Sequence, residues 1–211
     1  MKLREILHLA PVIPVVTIHD MAQAVPLAAA LVAGGLRAIE ITLRTAHGLA
    51  AIRAIDEQVP GAVVGVGTVL EPAQMTAAAA AGAKFFVAPG VTEKLLDAAA
   101  QDGLALLPGV ATASEAMRLI ERGYEFAKFF PAESSGGSAF LSAISSPLPQ
   151  LRFCPTGGIT AETAPLYLTL PNVVCVGGSW MIGRHALAAG DWATITAAAA
   201  QAAALEHRHD N

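Results

Sequence analysis

A chain of 211 residues can bury one sizeable core but is short for two, so a single domain over 1–211 is expected. Its residues are 54% hydrophobic and 14% charged, against about 25% charged in ordinary soluble domains, which implies that some surface is covered in an oligomer. A net charge of −4 without a Lys/Arg cluster argues against a nucleic-acid partner, and no uninterrupted apolar stretch approaches the roughly 20 residues of a membrane span.

In chain order, a short helix is expected at about 1–9, where Glu5 and His8 interrupt what could otherwise pass for a secretory leader, as do Pro11 and Pro14 just beyond. Strand-like runs then alternate with alanine-rich helical stretches. PVIPVVTI (11–18) precedes a helix at 22–33, RAIEITL (37–43) one at 47–58, AVVGVGTV (62–69) one at 72–81, and KFFVAPG (84–90) one at 93–102. LALLPGV (104–110) precedes a helix at 114–122, EFAKFFP (125–131) one at 138–145, RFCPTGG (152–158) one at 162–169, and NVVCVGG (172–178) one at 191–205, before a polar tail at about 206–211. Glu71-Pro72, Thr92-Glu93 and Thr112-Ala113-Ser114-Glu115 are helix-start signals, and Gly34-Gly35, Gly82, Gly103 and Gly123 are stop signals. Eight βα units recurring every 20 to 26 residues or so point to an α/β fold of the (β/α)8 TIM-barrel type, with an open doubly wound sheet as the alternative. In a barrel the chemistry is built at the C-terminal ends of the strands.

That rule separates two lysines in matching contexts, Ala83-Lys84-Phe85-Phe86 and Ala127-Lys128-Phe129-Phe130. Lys84 enters its strand, which runs on to Pro89-Gly90, and is expected to snorkel to solvent. Lys128 lies near the exit of its strand, three residues before Pro131. Alternation puts it on one face with Phe126 and Phe130, opposite Ala127 and Phe129. If Phe129 faces the helices, Lys128 points into the barrel, where burial favours the uncharged form that a nucleophilic amine requires. The competing expectation is a lysine that only balances a buried carboxylate.

In AIEITLRT, Ile39, Ile41 and Leu43 form one face and Ala38, Glu40 and Thr42 the other, so Glu40 is inside as well, available for proton transfer in carbonyl chemistry or for a plain ion pair with Lys128. Arg44, at the strand exit, could fork onto a substrate carboxylate, and Thr68 ends strand three as a hydroxyl donor. The GVG before Thr68 lacks the third glycine of a dinucleotide fingerprint and is read as close packing. Pro155-Thr156-Gly157-Gly158 and Gly177-Gly178-Ser179-Trp180 end strands seven and eight, where barrels commonly bind phosphate; two tight turns are the plainer alternative. The six histidines, His8, His19, His47, His185, His207 and His209, show no metal-ligand spacing, and His207 and His209 are expected to be solvated. Cys154 and Cys175 sit in apolar runs and are expected to be buried free thiols, in keeping with a cytoplasmic location.

From about residue 11 to about residue 192, the stretches ALVAGGLRAIEITLRT, VGVGTVL, APGVTEKLL, LLPGVATASEAM, FAKFFPAE, RFCPTGGI and VGGSW resemble the bacterial 2-keto-3-deoxy-6-phosphogluconate (KDPG) aldolase family, also active on 2-keto-4-hydroxyglutarate (KHG). The resemblance implies a cofactor-independent class I aldolase on a (β/α)8 barrel, homotrimeric, that splits a phosphorylated keto acid into pyruvate and glyceraldehyde 3-phosphate. By the same resemblance Lys128 is the Schiff-base lysine and Glu40 the general acid/base. Arg44 and Thr68 contact the pyruvate carboxylate, Pro89 and Phe130 wall the pocket, and Thr156 stands beside the aldehyde part. Gly157, Gly158, Gly178 and Ser179 form the phosphate site. One departure is that Thr17-Ile18-His19 stands where relatives often carry a basic residue, which would weaken phosphate preference and favour a shorter, unphosphorylated acceptor. The alternatives are a 2-keto-3-deoxy-6-phosphogalactonate aldolase, differing in C4 stereochemistry, and a non-catalytic phosphate-binding barrel.

Overall fold

The structure is a computed structural model that describes residues 1–206. Its strands are β1 (Val12–Val16), β2 (Ala38–Thr42), β3 (Val63–Gly67), β4 (Phe86–Val87), β5 (Leu106–Leu107), β6 (Gly109–Val110), β7 (Phe126–Phe129), β8 (Arg152–Pro155) and β9 (Val176–Gly178). The helices are α1 (Leu3–Leu7), α2 (Met21–Ala33), α3 (Gly48–Gln58), α4 (Pro72–Ala80), α5 (Glu93–Asp102), α6 (Ala113–Glu121), α7 (Gly137–Ser145), α8 (Ala164–Leu168), α9 (Arg184–Ala189) and α10 (Trp192–Ala203).

Local chemistry sets the helix ends. The Thr92 hydroxyl accepts from Leu95 N–H at the start of α5, and Thr112 with Glu115 forms a full capping box at the start of α6. Pro72 opens α4, where its missing N–H costs no hydrogen bond. The expected helices recur within one or two residues of their predicted bounds, and α9 is an addition.

All strand pairs are parallel. One sheet runs β5-β4-β3-β2-β1-β9 and a second runs β6-β7-β8. The expected strand LALLPGV is split in two: β5 pairs with β4, and β6, beyond Pro108, pairs with β7. Pro108 has no N–H to give to a ladder, which interrupts the strand there. At the other seam, isolated parallel bridges join Phe153 to Val173 and Thr156 to Gly177. The result is an α/β fold with a curled parallel sheet.

Period-two alternation sends the strand side chains into two separate apolar clusters. Ile39, Ile41, Val64, Val66, Phe129 and Phe153 pack outward against helix residues such as Leu27, Leu31, Ile52 and Leu141. Phe129 stacks on Phe140 of α7 at 5.0 Å between ring centroids, so its face of β7 is the helix-facing one. The other cluster gathers Ile13, Ala38, Val63, Phe85 and Phe126, at or near the starts of their strands, with Cys154 and Cys175. Ile6 and Leu7 of α1, both fully buried, complete it and cover the N-terminal ends of the strands. The opposite ends are left for the site. Of the expected polar tail only Glu206 is described, and His207 and His209 lie outside the described residues.

Candidate active site

Glu40 is the middle residue of β2, in register with Val15 of β1 and Gly65 of β3. Lys128 is the third residue of β7, in register with Gly109 of β6 and Cys154 of β8. Both side chains turn inward, and Lys128 Nζ donates to Glu40 Oε1 at 3.3 Å across 88 residues of sequence. Exposure is 3% for Lys128 and 4% for Glu40. At this depth the desolvation of two ions rivals their attraction, so an ion pair here is poorly explained as a stabilising device. The ammonium also lies 5.1 Å from the centroid of the Phe130 ring, a cation–π contact. Lys84, in the twin sequence, is exposed and paired with Asp56 at 2.9 Å on the outside, as expected for a strand entry.

Small residues make room for this pair. A Cβ on Gly67 would stand 2.1 Å from Glu40 Oε1, and one on Gly65 would stand 2.4 Å from the Phe85 ring. Both glycines of GVG are therefore packing glycines, as read from the sequence. A Cβ on Gly177 would fall 2.3 Å from Thr156 Oγ1. Gly157 and Gly158 have φ of 104° and 82°, a region that L side chains avoid. They turn the chain after β8 towards the loop after β7, where Ala132 N–H donates to Thr156 O at 2.8 Å and Glu133 N–H to Gly157 O at 3.1 Å. Tyr167 O–H anchors that loop by donating to Glu133 Oε1 at 2.6 Å.

A cavity of about 610 Å³ opens at the strand C-terminal ends. Arg44, Phe130, Thr156, Gly157, Gly158, Gly178 and Ser179 line it, as predicted for site residues. Thr68 does not line it but is tied to it, because Arg44 Nε donates to Thr68 Oγ1 at 3.3 Å. Lys128 and Glu40 are not wall residues either; the Phe130 ring links them to the cavity, being both in its wall and in contact with Nζ. Pro89 is not brought to the wall. Its backbone lies against Gly109, where a Cβ would come within 2.4 Å of the Pro89 carbonyl.

Thr17, His19 and Arg184 line the cavity without having been singled out as binding residues. The strand-exit rule that found Arg44 could have found Thr17 and His19, which follow β1 directly. Arg184 stands six residues beyond β9, at the start of a short helix that carries no sequence signal. The ionisable wall residues are thus His19, Arg44 and Arg184, with no carboxylate among them, in a chain of net charge −4.

Beneath the site, Cys154 and Cys175 are buried free cysteines. Its hydrogen bond to Cys154 and its burial push the Cys175 thiol well up, so Cys175 stays a thiol rather than a nucleophilic thiolate. Among the described residues, no three His, Cys, Asp or Glu side chains gather as metal ligands, and no helix is long and apolar enough to cross a membrane.

The family model for KDPG and KHG aldolases matches residues 3–198. The chain belongs to the KDPG and KHG aldolase family. It is 52% identical to the 2-dehydro-3-deoxy-phosphogluconate aldolase of Pseudoalteromonas atlantica, over 92% of this chain and 90% of that one. Its structure superposes with a TM-score of 0.92 on the KDPG aldolase of Zymomonas mobilis with 3-phosphoglycerate, at 48% identity over 97% of this chain and 96% of that one. A KDPG aldolase of Legionella pneumophila, solved with pyruvate captured as a covalent carbinolamine, superposes with a TM-score of 0.93 at 42% identity, covering 97% and 99% of the two chains.

Proposed function

We propose that the protein is a class I aldolase that cleaves 2-keto-3-deoxy-6-phosphogluconate reversibly to pyruvate and glyceraldehyde 3-phosphate, and 2-keto-4-hydroxyglutarate to pyruvate and glyoxylate. The observation that carries this reading is the buried Lys128–Glu40 pair, 3.3 Å apart, next to a cavity whose ionisable walls are basic. Family membership and the carbinolamine captured in the Legionella pneumophila relative support it.

In this mechanism Glu40 takes a proton from Lys128 Nζ, and the freed amine attacks the C2 ketone. Glu40 returns the proton to the former ketone oxygen, giving the carbinolamine, and then carries a second proton from its nitrogen to the hydroxyl, which leaves as water and gives the protonated imine. As Glu40, again a carboxylate, takes the proton of the C4 hydroxyl, the C3–C4 electron pair flows to the iminium nitrogen, releasing the aldehyde and leaving the enamine of pyruvate. Protonation at C3 with the help of Glu40 and hydrolysis of the imine release pyruvate and restore the amine. Arg44 and Thr68, already hydrogen-bonded to each other, hold the pyruvate carboxylate. Phe130 closes off the lysine on the cavity side, and Pro89, against Gly109 in register with Lys128, backs it. Thr156 orients the aldehyde part, and Gly157, Gly158, Gly178 and Ser179 take the phosphate.

The scaffold of this reading is a single-domain, closed (β/α)8 barrel. The β9–β1 pairing, the two bridges between the β8 and β9 segments and the single residue, Pro108, that separates β5 from β6 support closure. A homotrimer in the cytoplasm fits the low charge content and the exposed Leu70, Met117 and Leu166. Incubation with pyruvate and borohydride, followed by peptide mass mapping, tests the chemistry. A reduced pyruvyl adduct on Lys128 is expected; no adduct, or one on Lys84, overturns the assignment.

A further inference from the structure

We infer that Arg184 is the cation that selects the phosphate end of the substrate. The inference rests on the aldolase reading and deepens it. At the exit of β1 the wall residues are Thr17 and His19, and the Thr17 hydroxyl is shared with Thr42 Oγ1 at 2.8 Å. Gly157, Gly158, Gly178 and Ser179 offer only neutral N–H and O–H donors to an anion. A phosphate monoester carries about −1.5 to −2 at neutral pH, so neutral donors leave most of its charge unbalanced.

Arg184 lies on the same strand-exit segment as Ser179. Ile182 N–H donates to Ser179 O at 3.0 Å, and Met181 is buried, which folds this segment back onto the cavity. Arg184 is part of the cavity wall and exposed, and among the described residues no carboxylate pairs with it. The other wall arginine, Arg44, is bonded to Thr68 Oγ1, on the far side of β1 from β9. Two arginines flanking one cavity suit a substrate with a carboxylate at one end and a phosphate at the other. A guanidinium can fork onto two phosphate oxygens, which a solvated lysine does less well. Because phosphate is remote from the bonds that change, its recognition by Arg184 acts mainly on KM.

The test compares wild type with Arg184→Ala and Arg184→Lys on the phosphorylated keto acid and on its unphosphorylated counterpart, with pyruvate–borohydride labelling of the same preparations. Arg184→Ala is expected to lower kcat/KM for the phosphorylated substrate by about ten-fold or more, the size of one charge-assisted hydrogen bond. The unphosphorylated substrate should change less than two-fold, Lys128 labelling should persist, and Arg184→Lys should recover part of the loss. Competitive inhibition by inorganic phosphate should weaken in step in Arg184→Ala. If wild type labels and cleaves but the two substrates keep the same ratio in Arg184→Ala, the role given to Arg184 is wrong while the aldolase reading stands. If wild type neither labels nor cleaves, the aldolase reading fails and takes this inference with it.

Discussion

Replacing Gly67 with alanine probes the catalytic geometry without touching a reactive group. The new Cβ would stand 2.1 Å from Glu40 Oε1 and 2.6 Å from both Glu40 Cδ and Cγ. Ordinary contact begins near 3.4 Å, so the carboxylate has to retreat by about 1 Å. It is 4% exposed and tied to Lys128 at 3.3 Å, so a retreat of that size disturbs its contact with the ammonium. A misplacement of about 1 Å in a catalytic group costs on the order of 100-fold in rate, which corresponds to about 2.7 kcal/mol of transition-state stabilisation. Overpacking of a core costs about 1–3 kcal/mol of stability, or a few degrees of Tm for a chain of this size. Gly65→Ala is the internal comparison, because the nearest atoms its Cβ would meet are those of the fully buried Phe85 ring, at 2.4 Å, rather than the Glu40 carboxylate. Steady-state kinetics alongside thermal unfolding should show Gly67→Ala losing about 100-fold in kcat/KM with a modest drop in Tm. Gly65→Ala should lose stability with near-normal activity per folded molecule. Full activity in Gly67→Ala would refute the idea that this glycine holds Glu40 in place.

Two further outcomes follow from the same geometry. Glu40→Gln removes the proton acceptor beside Lys128 while keeping its shape, and should lower kcat by roughly 100- to 10,000-fold; rapid-quench trapping with pyruvate and borohydride should show slowed imine formation, and unaltered trapping would exclude Glu40 from that step. Burial, then the hydrogen bond to Glu133 and the Glu133 charge, hold the Tyr167 phenol well above its ordinary value of 10.0. Since the folded value is the higher one, the native state keeps a proton that the unfolded chain releases. The resulting stability is whole below about pH 10 and is lost as pH rises towards the folded value. Tyr167→Phe should lower stability by about 1–3 kcal/mol near neutrality, and the gap to wild type should narrow in denaturant titrations above pH 10. A gap independent of pH would rule out this linkage.

Much of this arrangement follows from local rules that the sequence by itself determines. The alternation of strand runs with capped helices sets the α/β class, and a period of two commits Lys128 and Glu40 to the face opposite Phe129 and Ile41. The positions of Pro89-Gly90 and Pro131 distinguish a strand entry at Lys84 from a strand exit at Lys128, despite identical neighbours. Periodicity and turn chemistry act over a few residues, which is why they can be read from one chain. Only the tertiary structure decided which inward groups meet. The 3.3 Å contact between residues 88 apart depends on the register of several strand pairs and on the absence of a Cβ at Gly67. Pro108 divides one predicted strand between two sheets, and the Pro89 backbone lies against Gly109. Arg184 enters the wall because Met181 is buried and the β9 exit folds back on itself. Face and strand end are local properties of the chain, whereas a distance across the sheet sums the packing of every element between.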